Sequence, residues 1–380
     1  MVGRDANKER IIPDLLDMKY EILFRTIGRA GKYSMELKCF FLILILWIPC
    51  LLMNYLSRTL ADYFINSWDH FAATVLMGIF MWFLIRFIRK TDEKIKHVNQ
   101  IISPPKREKR QEGYEAWIRW KRKVRNYMNW ARSLFSYEWY YLNAIGGSVC
   151  GFVISLIIME SEYGLWVQQD LLKELYLRAW WIFLGFLAGA SLYYISEGFW
   201  AIRQYCKNVV SHEEILPLHP DRTGGLKELG RLSLDLDLIV ALPSIGFPVV
   251  GLAFVQRTFT GREMKNIELV IALSALYALV LVFVFFIPIS PAHDAMVEAK
   301  NDYVSKVHSE YRDLHEVLFK KLDTKKLIEP EEYSRLSSLY DLYKRIQRMA
   351  VWPLDFGTTL RFSITSLIPL ISALSTLPFI

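Results

Sequence analysis

Residues 267–289, IELVIALSALYALVLVFVFFIPI, decide what kind of protein this is. The run holds one formal charge, Glu268, and is otherwise dominated by Leu, Val, Ile, Ala and Phe. About 20 apolar residues at 1.5 Å each cross the ~30 Å hydrocarbon core of a bilayer, and a helix satisfies all its backbone N–H and C=O groups internally while doing so. Five more runs share this character: Lys38 to Leu56, His70 to Ile88, Tyr140 to Met159, Ala179 to Trp200 and Asp237 to Val255. A seventh, Leu360 to Ile380, is interrupted by Ser363, Thr365, Ser366, Pro369 and Pro378, so spanning, re-entry and surface attachment all stay open for it. The sequence therefore predicts an all-α integral membrane protein. Six transmembrane helices form three hairpins, joined by a C-terminal apolar segment and a cytosolic helical hairpin.

The 380 residues are 53% hydrophobic and carry a formal net charge of +7. An excess of this sign can serve a nucleic acid, but its distribution argues for a membrane orientation instead. Arg4, Lys8, Arg10, Lys19, Arg25, Arg29 and Lys32 precede the first run, and a dense basic stretch from Lys106 to Arg132 lies between the second and third. The connections after the first and third runs hold only Arg58, Lys173 and Arg178. Arg257, Arg262 and Lys265 on the third outer loop depart mildly from the pattern. The expected topology has the N-terminus in the cytosol, in a plasma or prokaryotic inner membrane, with an anionic inner leaflet as partner and no nucleic acid. The long charged segment before the first run does not read as a cleavable signal. Cys39, Cys50, Cys150 and Cys206 show no metal or redox spacing, no cofactor motif is present, and the cysteines read as packing residues.

The chain divides into an N-terminal amphipathic helix (1–36), a first transmembrane hairpin (37–89), a basic linker with an interfacial helix (90–139) and a second hairpin (140–201). There follow a cytosolic loop (202–236), a third hairpin (237–290), a cytosolic helical hairpin (291–350) and the C-terminal apolar segment (351–380). In the linker, Trp117, Trp120, Val124, Tyr127, Ala131 and Leu134 form one stripe flanked by Arg119, Arg122, Lys123, Arg125 and Arg132. That pattern suits a helix lying on anionic lipid, or one packed on a neighbouring subunit. Pro291 opens a segment in which Val297, Val304, Val307, Tyr311, Leu314 and Leu318 recur at helix-pairing steps, and Glu329, Pro330, Glu331 and Glu332 form a helix start. Gly147 to Gly151 and Gly185 to Gly189 are small-xxx-small pairs that permit close helix contact, in a tight bundle or in a homo-oligomer.

The polar stretch EILPLHPDRTGGLKELGRL, residues 214–232, interrupts the apolar pattern. Pro217 and Pro220 discourage helix and Gly224 and Gly225 permit positive φ, so His219, Asp221 and Arg222 are held on a turn. Such a turn can present amides and a guanidinium to an anion, although it lacks the Gly-Lys-Ser/Thr ending of a Walker loop. The plainer reading is that Asp221 and Arg222 tie helix ends at a membrane entry. His293 and Asp294 are expected on the same face as His219 and Asp221, without the spacing of a known metal motif. Pro243, Gly246, Pro248 and Gly251 are expected to kink or break the fifth span, as in transport sites or as a packing kink. Glu197 lies near the end of the fourth span, either lining a vestibule or reaching toward Arg203 or Arg86.

LHPDRTGGLKELG before a span, together with WPLDFGTTLRF before a C-terminal apolar run, resembles multi-pass membrane proteins of prokaryotes; that likeness brings no activity onto these residues. Three functions fit the reading. The first is an oligomeric pore or channel for ions or small solutes, gated from the cytosolic side. The second is a membrane-anchored signalling or defence effector sensing a cytosolic anion or nucleotide. The third is an enzyme acting on a phosphorylated lipid, disfavoured by the scarcity of polar residues inside the spans.

Overall fold

The computed structural model describes residues 35–58, 60, 68–103, 111–134, 137–160, 171–245, 267–324, 327 and 329–374. Among them there is helix and no strand. The helices are α1 (Met35–Leu56), α2 (Trp68–Ile102), α3 (Gln111–Leu134), α4 (Tyr137–Glu160), α5 (Leu171–Asn208), α6 (Lys227–Ala241), α7 (Ile267–Asp323), α8 (Pro330–Gln347) and α9 (Phe356–Leu374), with 3₁₀ turns at His212–Glu214 and Leu242–Ile245. The expected N-terminal amphipathic helix, and Gly246, Pro248 and Gly251, lie outside the described residues.

Among the described residues, three helices are long and apolar enough to cross a membrane: Glu138–Leu156 in α4, Leu171–Asn208 in α5 and Ser274–Asp323 in α7. They match the third, fourth and sixth expected spans. The apolar stretches Ile43–Leu56 of α1 and Phe356–Ile371 of α9 are shorter. Where the fifth span was expected, α6 ends at Ala241 and tightens into the 3₁₀ turn. Pro243 supplies the reason, because it has no N–H to give the Ile239 carbonyl and its ring clashes there. Exposed Ile145, Val149 and Phe152 on α4, and Leu360, Ile364, Leu367 and Ile371 on α9, form apolar stripes that water would penalise and lipid would not.

The candidate spans lie in helices of 24, 38 and 57 residues, and the two longer ones exceed the length a bilayer core requires. At 1.5 Å per residue, the 57 residues of α7 extend about 86 Å. Pro291 does not open a new element here, because α7 runs unbroken through Pro288 and Pro291. Pro291 frees the Ile287 carbonyl, which instead accepts bonds from the Arg203 guanidinium of α5 (2.8 Å) and from the Ser290 hydroxyl (3.0 Å). Similarly, α5 continues past Trp200 to Asn208 because its buried face does, through Ile202, Tyr205 and Cys206.

Two sequence patterns find their partners inside the chain. The glycine pairs bring α4 and α5 to backbone contact: a Cβ added at Gly147 would lie 2.2 Å from the Gly185 carbonyl oxygen, and one at Gly189 2.1 Å from that of Asn143. On α3, Trp120, Val124, Tyr127 and Ala131 are buried, and the Tyr127 hydroxyl donates to the Ala201 carbonyl of α5 at 3.2 Å. This stripe is thus covered by α5, leaving Arg119, Arg122 and Arg125 outward.

The polar hairpin of late α7 and α8 closes in the same way. Glu329 caps α8 in a capping box with Glu332, Pro330 takes the first turn, and Lys321 pairs with Glu332 across the turn. Val307 and Leu318 are buried, and Val307 and Tyr311 line one small cavity with Tyr340 and Tyr343 of α8. The Val307→Asp, Leu314→Asp double variant puts charge into this seam and is expected to cost about 3 kcal/mol. Amide exchange in α8 should accelerate accordingly. Wild-type protection in α8 would mean that the seam does not hold the hairpin.

Candidate functional site

Two features stand out where α5, α6, α7 and α9 meet: a stapled loop, and a carboxyl with no partner.

The loop begins as α5 ends and folds back on itself. The Asp221 carboxylate accepts the N–H groups of Thr223 (2.9 Å) and Gly225 (3.2 Å) and lies 2.8 Å from His219 Nδ1. Burial alone would raise this carboxyl, but the Thr223 and Gly225 donors and the His219 imidazole hold it below the usual carboxylate range. Arg222, Gly224 and Gly225 all take left-handed backbone, with φ of 59°, 65° and 88°. The turn buries Thr223 and the glycine backbones: a Cβ at Gly224 would meet Ile215 Cγ2 at 2.5 Å, and one at Gly225 would meet Ile101 Cγ2 at 2.5 Å. Nearby, Lys123 of α3 reaches Ser211 (3.0 Å) and Glu214 (3.3 Å), and burial pushes the Glu214 carboxyl up despite Lys123.

The segment 349–355 acts as a strap across this loop. Ala350 N–H donates to the Arg222 carbonyl at 2.9 Å. The Lys300 ammonium donates to the carbonyls of Gln347 (2.8 Å) and Met349 (3.0 Å). Val351 O lies 2.6 Å from His293 Nδ1, and the His293 ring stacks on Trp352 with centroids 4.1 Å apart. The strap closes on α6, where the Pro353 carbonyl sits against Gly230 and Lys227 pairs with Asp355 at 2.7 Å. Asp355 also caps α9 by accepting the N–H (2.8 Å) and hydroxyl (2.6 Å) of Thr358.

The His-Asp pairs therefore do not converge. His219 and Asp221 bind each other, His293 holds the strap on its other side, and exposed Asp294 lines an open groove of about 620 Å³ with His293, His212 and Glu298, away from the His219–Asp221 pair. Among the described residues no group of three His, Cys, Asp or Glu could hold a metal. Glu197 is buried and lines a pocket of about 450 Å³ with Trp130, Trp139 and Trp200. Arg203, one of its expected neighbours, serves the Ile287 carbonyl, and Arg86 lies over the Trp82 ring.

The feature that sequence reasoning missed is Asp237. It is 0% exposed, and neither carboxylate oxygen has a hydrogen-bond partner. In the sequence Asp237 is only the first residue of the fifth apolar run. The available signal was its position in LSLDLDLIV, where it falls in helical register between two residues that prove to face α7. Ser233 donates to the Phe285 carbonyl at 2.6 Å, and the Tyr277 hydroxyl donates to the Val240 carbonyl.

Asp355 makes a pH prediction. Its Lys227 and Thr358 partners hold its carboxyl well below the usual range. An unfolded Asp takes up its proton near pH ~4. The stabilisation is therefore complete above that value and is lost as pH falls toward the folded value. Asp355→Asn should flatten the acid side of the melting-temperature profile below about pH 4. An unchanged profile would show that the staple contributes nothing.

Compared with known proteins, the chain matches no family model, no curated protein and no solved structure.

Proposed function

We propose that the protein is an oligomeric multi-pass membrane protein forming a pore or channel for ions or small solutes, opened from the cytosolic side. One observation carries this reading: the polar hairpin and the apolar helices are a single mechanical unit. Helix α7 runs without a break from its apolar segment into the hairpin, and the strap returns from α8 to grip the 214–225 loop, α6, α7 and α9. A force or ligand acting on the hairpin is thereby delivered to the apolar helices, which is what opening from one side requires.

The test is flux from proteoliposomes, with native mass spectrometry of the same preparation. Wild type should assemble as a ring and release ions above the leak of empty vesicles. Lys227→Ala removes one staple worth about 1 kcal/mol and should shift open probability by about fivefold. A monomer without flux above leak would defeat the reading.

One observation favours the anion-sensing alternative. Arg222 is exposed in a conformation that glycine adopts more cheaply, by roughly 1 to 2 kcal/mol. The cost suggests that its side chain is used. Arg222→Gly would keep the turn and basal flux while removing any response to added nucleotide. A retained response would exclude Arg222 as the sensor.

A further inference from the structure

We propose that Asp237 is a binding site for a small monovalent cation, the proton included, in the seam between α6 and α7. The proposal extends the channel reading to a cation, but its test does not need flux. An ionised carboxylate buried with no donor is too costly to persist; in practice such a group takes a proton or a counter-ion. Here neither oxygen meets a donor, although the described structure satisfies its neighbours carefully. Ser233, one turn earlier on the same face, is bonded to the Phe285 carbonyl, and Val240, one turn later, receives the Tyr277 hydroxyl. Between them on α7 lies Leu281, which is fully buried and offers no polar atom in its side chain.

The charged groups of the packed elements do not answer Asp237. Lys94 of α2 pairs with Asp235 at 2.6 Å, Arg203 of α5 bonds the Ile287 carbonyl, and Arg361 of α9 is exposed. Glu197 of α5 lines the tryptophan pocket, and Tyr277 of α7 is the titratable neighbour. The local backbone favours a cation further. Asp237 lies in the last turns of α6, whose C-terminal carbonyls make the negative end of the helix dipole, and the chain unwinds into the 3₁₀ turn just beyond. Helix C-terminal ends of this kind are where membrane carriers hold sodium ions or protons.

The experiment labels full-length protein in detergent with a hydrophobic carbodiimide, which attacks protonated carboxyls in apolar surroundings, and maps the adduct by mass spectrometry. Infrared difference spectra of wild type against Asp237→Asn monitor the carboxylic C=O band in parallel. Asp237 should carry the label, and its rate should fall about tenfold per pH unit above its midpoint. Slowing by sodium or potassium chloride, but not by N-methylglucamine chloride, identifies an alkali cation; dependence on pH alone identifies the proton. Asp237→Asn should lose the label and the C=O band while melting no lower than wild type, since it discards an unpartnered acid. The proposal fails if Asp237 is unlabelled and shows no titrating C=O band, or if labelling is indifferent to both pH and alkali cations. Cation-sensitive labelling without liposome flux would leave the site standing and remove the channel.

Discussion

Gly185→Ala is expected to cost about 3 kcal/mol or more, the upper end of the range for overpacking, whereas Gly146→Ala is expected to be neutral or slightly stabilising. The two glycines lie on neighbouring helices, and both substitutions add one methyl group. At Gly185 that methyl would stand 2.2 Å from the Gly147 carbonyl oxygen, 2.9 Å from its carbon and 3.0 Å from Gly151 Cα. All three are backbone atoms, which cannot swing aside as a side chain can, so α4 and α5 must separate along their length. The backbone contacts at Gly189 and Gly151 go with them. At Gly146 nothing lies within 4 Å, and alanine gains the helix propensity that glycine lacks. Thermal unfolding of both variants, with cross-linking of cysteines placed on α4 and α5, measures the difference. Equal melting temperatures would mean that the two helices are not held at this distance.

The Gly224→Val, Gly225→Val double variant is the second large effect. Both positions have positive φ, where a β-branched residue is strained by about 1 to 3 kcal/mol each. Both also face packed side chains, with Ile215 and Met349 over Gly224 and Ile101 over Gly225. The turn cannot relax in one direction without losing the Asp221 bonds to Thr223 and Gly225, nor in the other without losing the Arg222 carbonyl bond to Ala350. The expected result is a strap detached from α6, read as increased proteolysis between residues 347 and 356 and as altered flux. If the strap stays protected and flux is unchanged, the loop does not couple the hairpin to the apolar helices.

Several elements were legible in the sequence because their cause is local. The apolar runs in α4, α5 and α7 need only length and side-chain hydropathy. The α8 start at Glu329 and Pro330 needs only the capping rules, and the left-handed turn at Gly224 and Gly225 needs only the absence of Cβ. Pro243 reads in the sequence only as a kink or break within the fifth span; that α6 ends just before it has the same kind of local cause, since a missing N–H acts within four residues.

Tertiary structure alone decided what those elements touch. Periodicity places Trp120, Val124 and Tyr127 on one stripe, but lipid, a second subunit and α5 are equally apolar, so nothing local says which of them covers it. The glycine pairs were likewise compatible with a homo-oligomer until α4 and α5 met across them within one chain. Pro291 reads locally as a break, yet an arginine 88 residues earlier satisfies the carbonyl it frees and lets α7 continue. His219 and His293 share a residue type and a neighbouring aspartate, but only the folded chain pairs His219 with its own Asp221 and turns His293 to the strap instead. Asp237 shows the limit most clearly. A carboxylate near the end of a helix is ordinary while water or a cation can reach it, and only burial in the α6–α7 seam makes an aspartate without a partner a site.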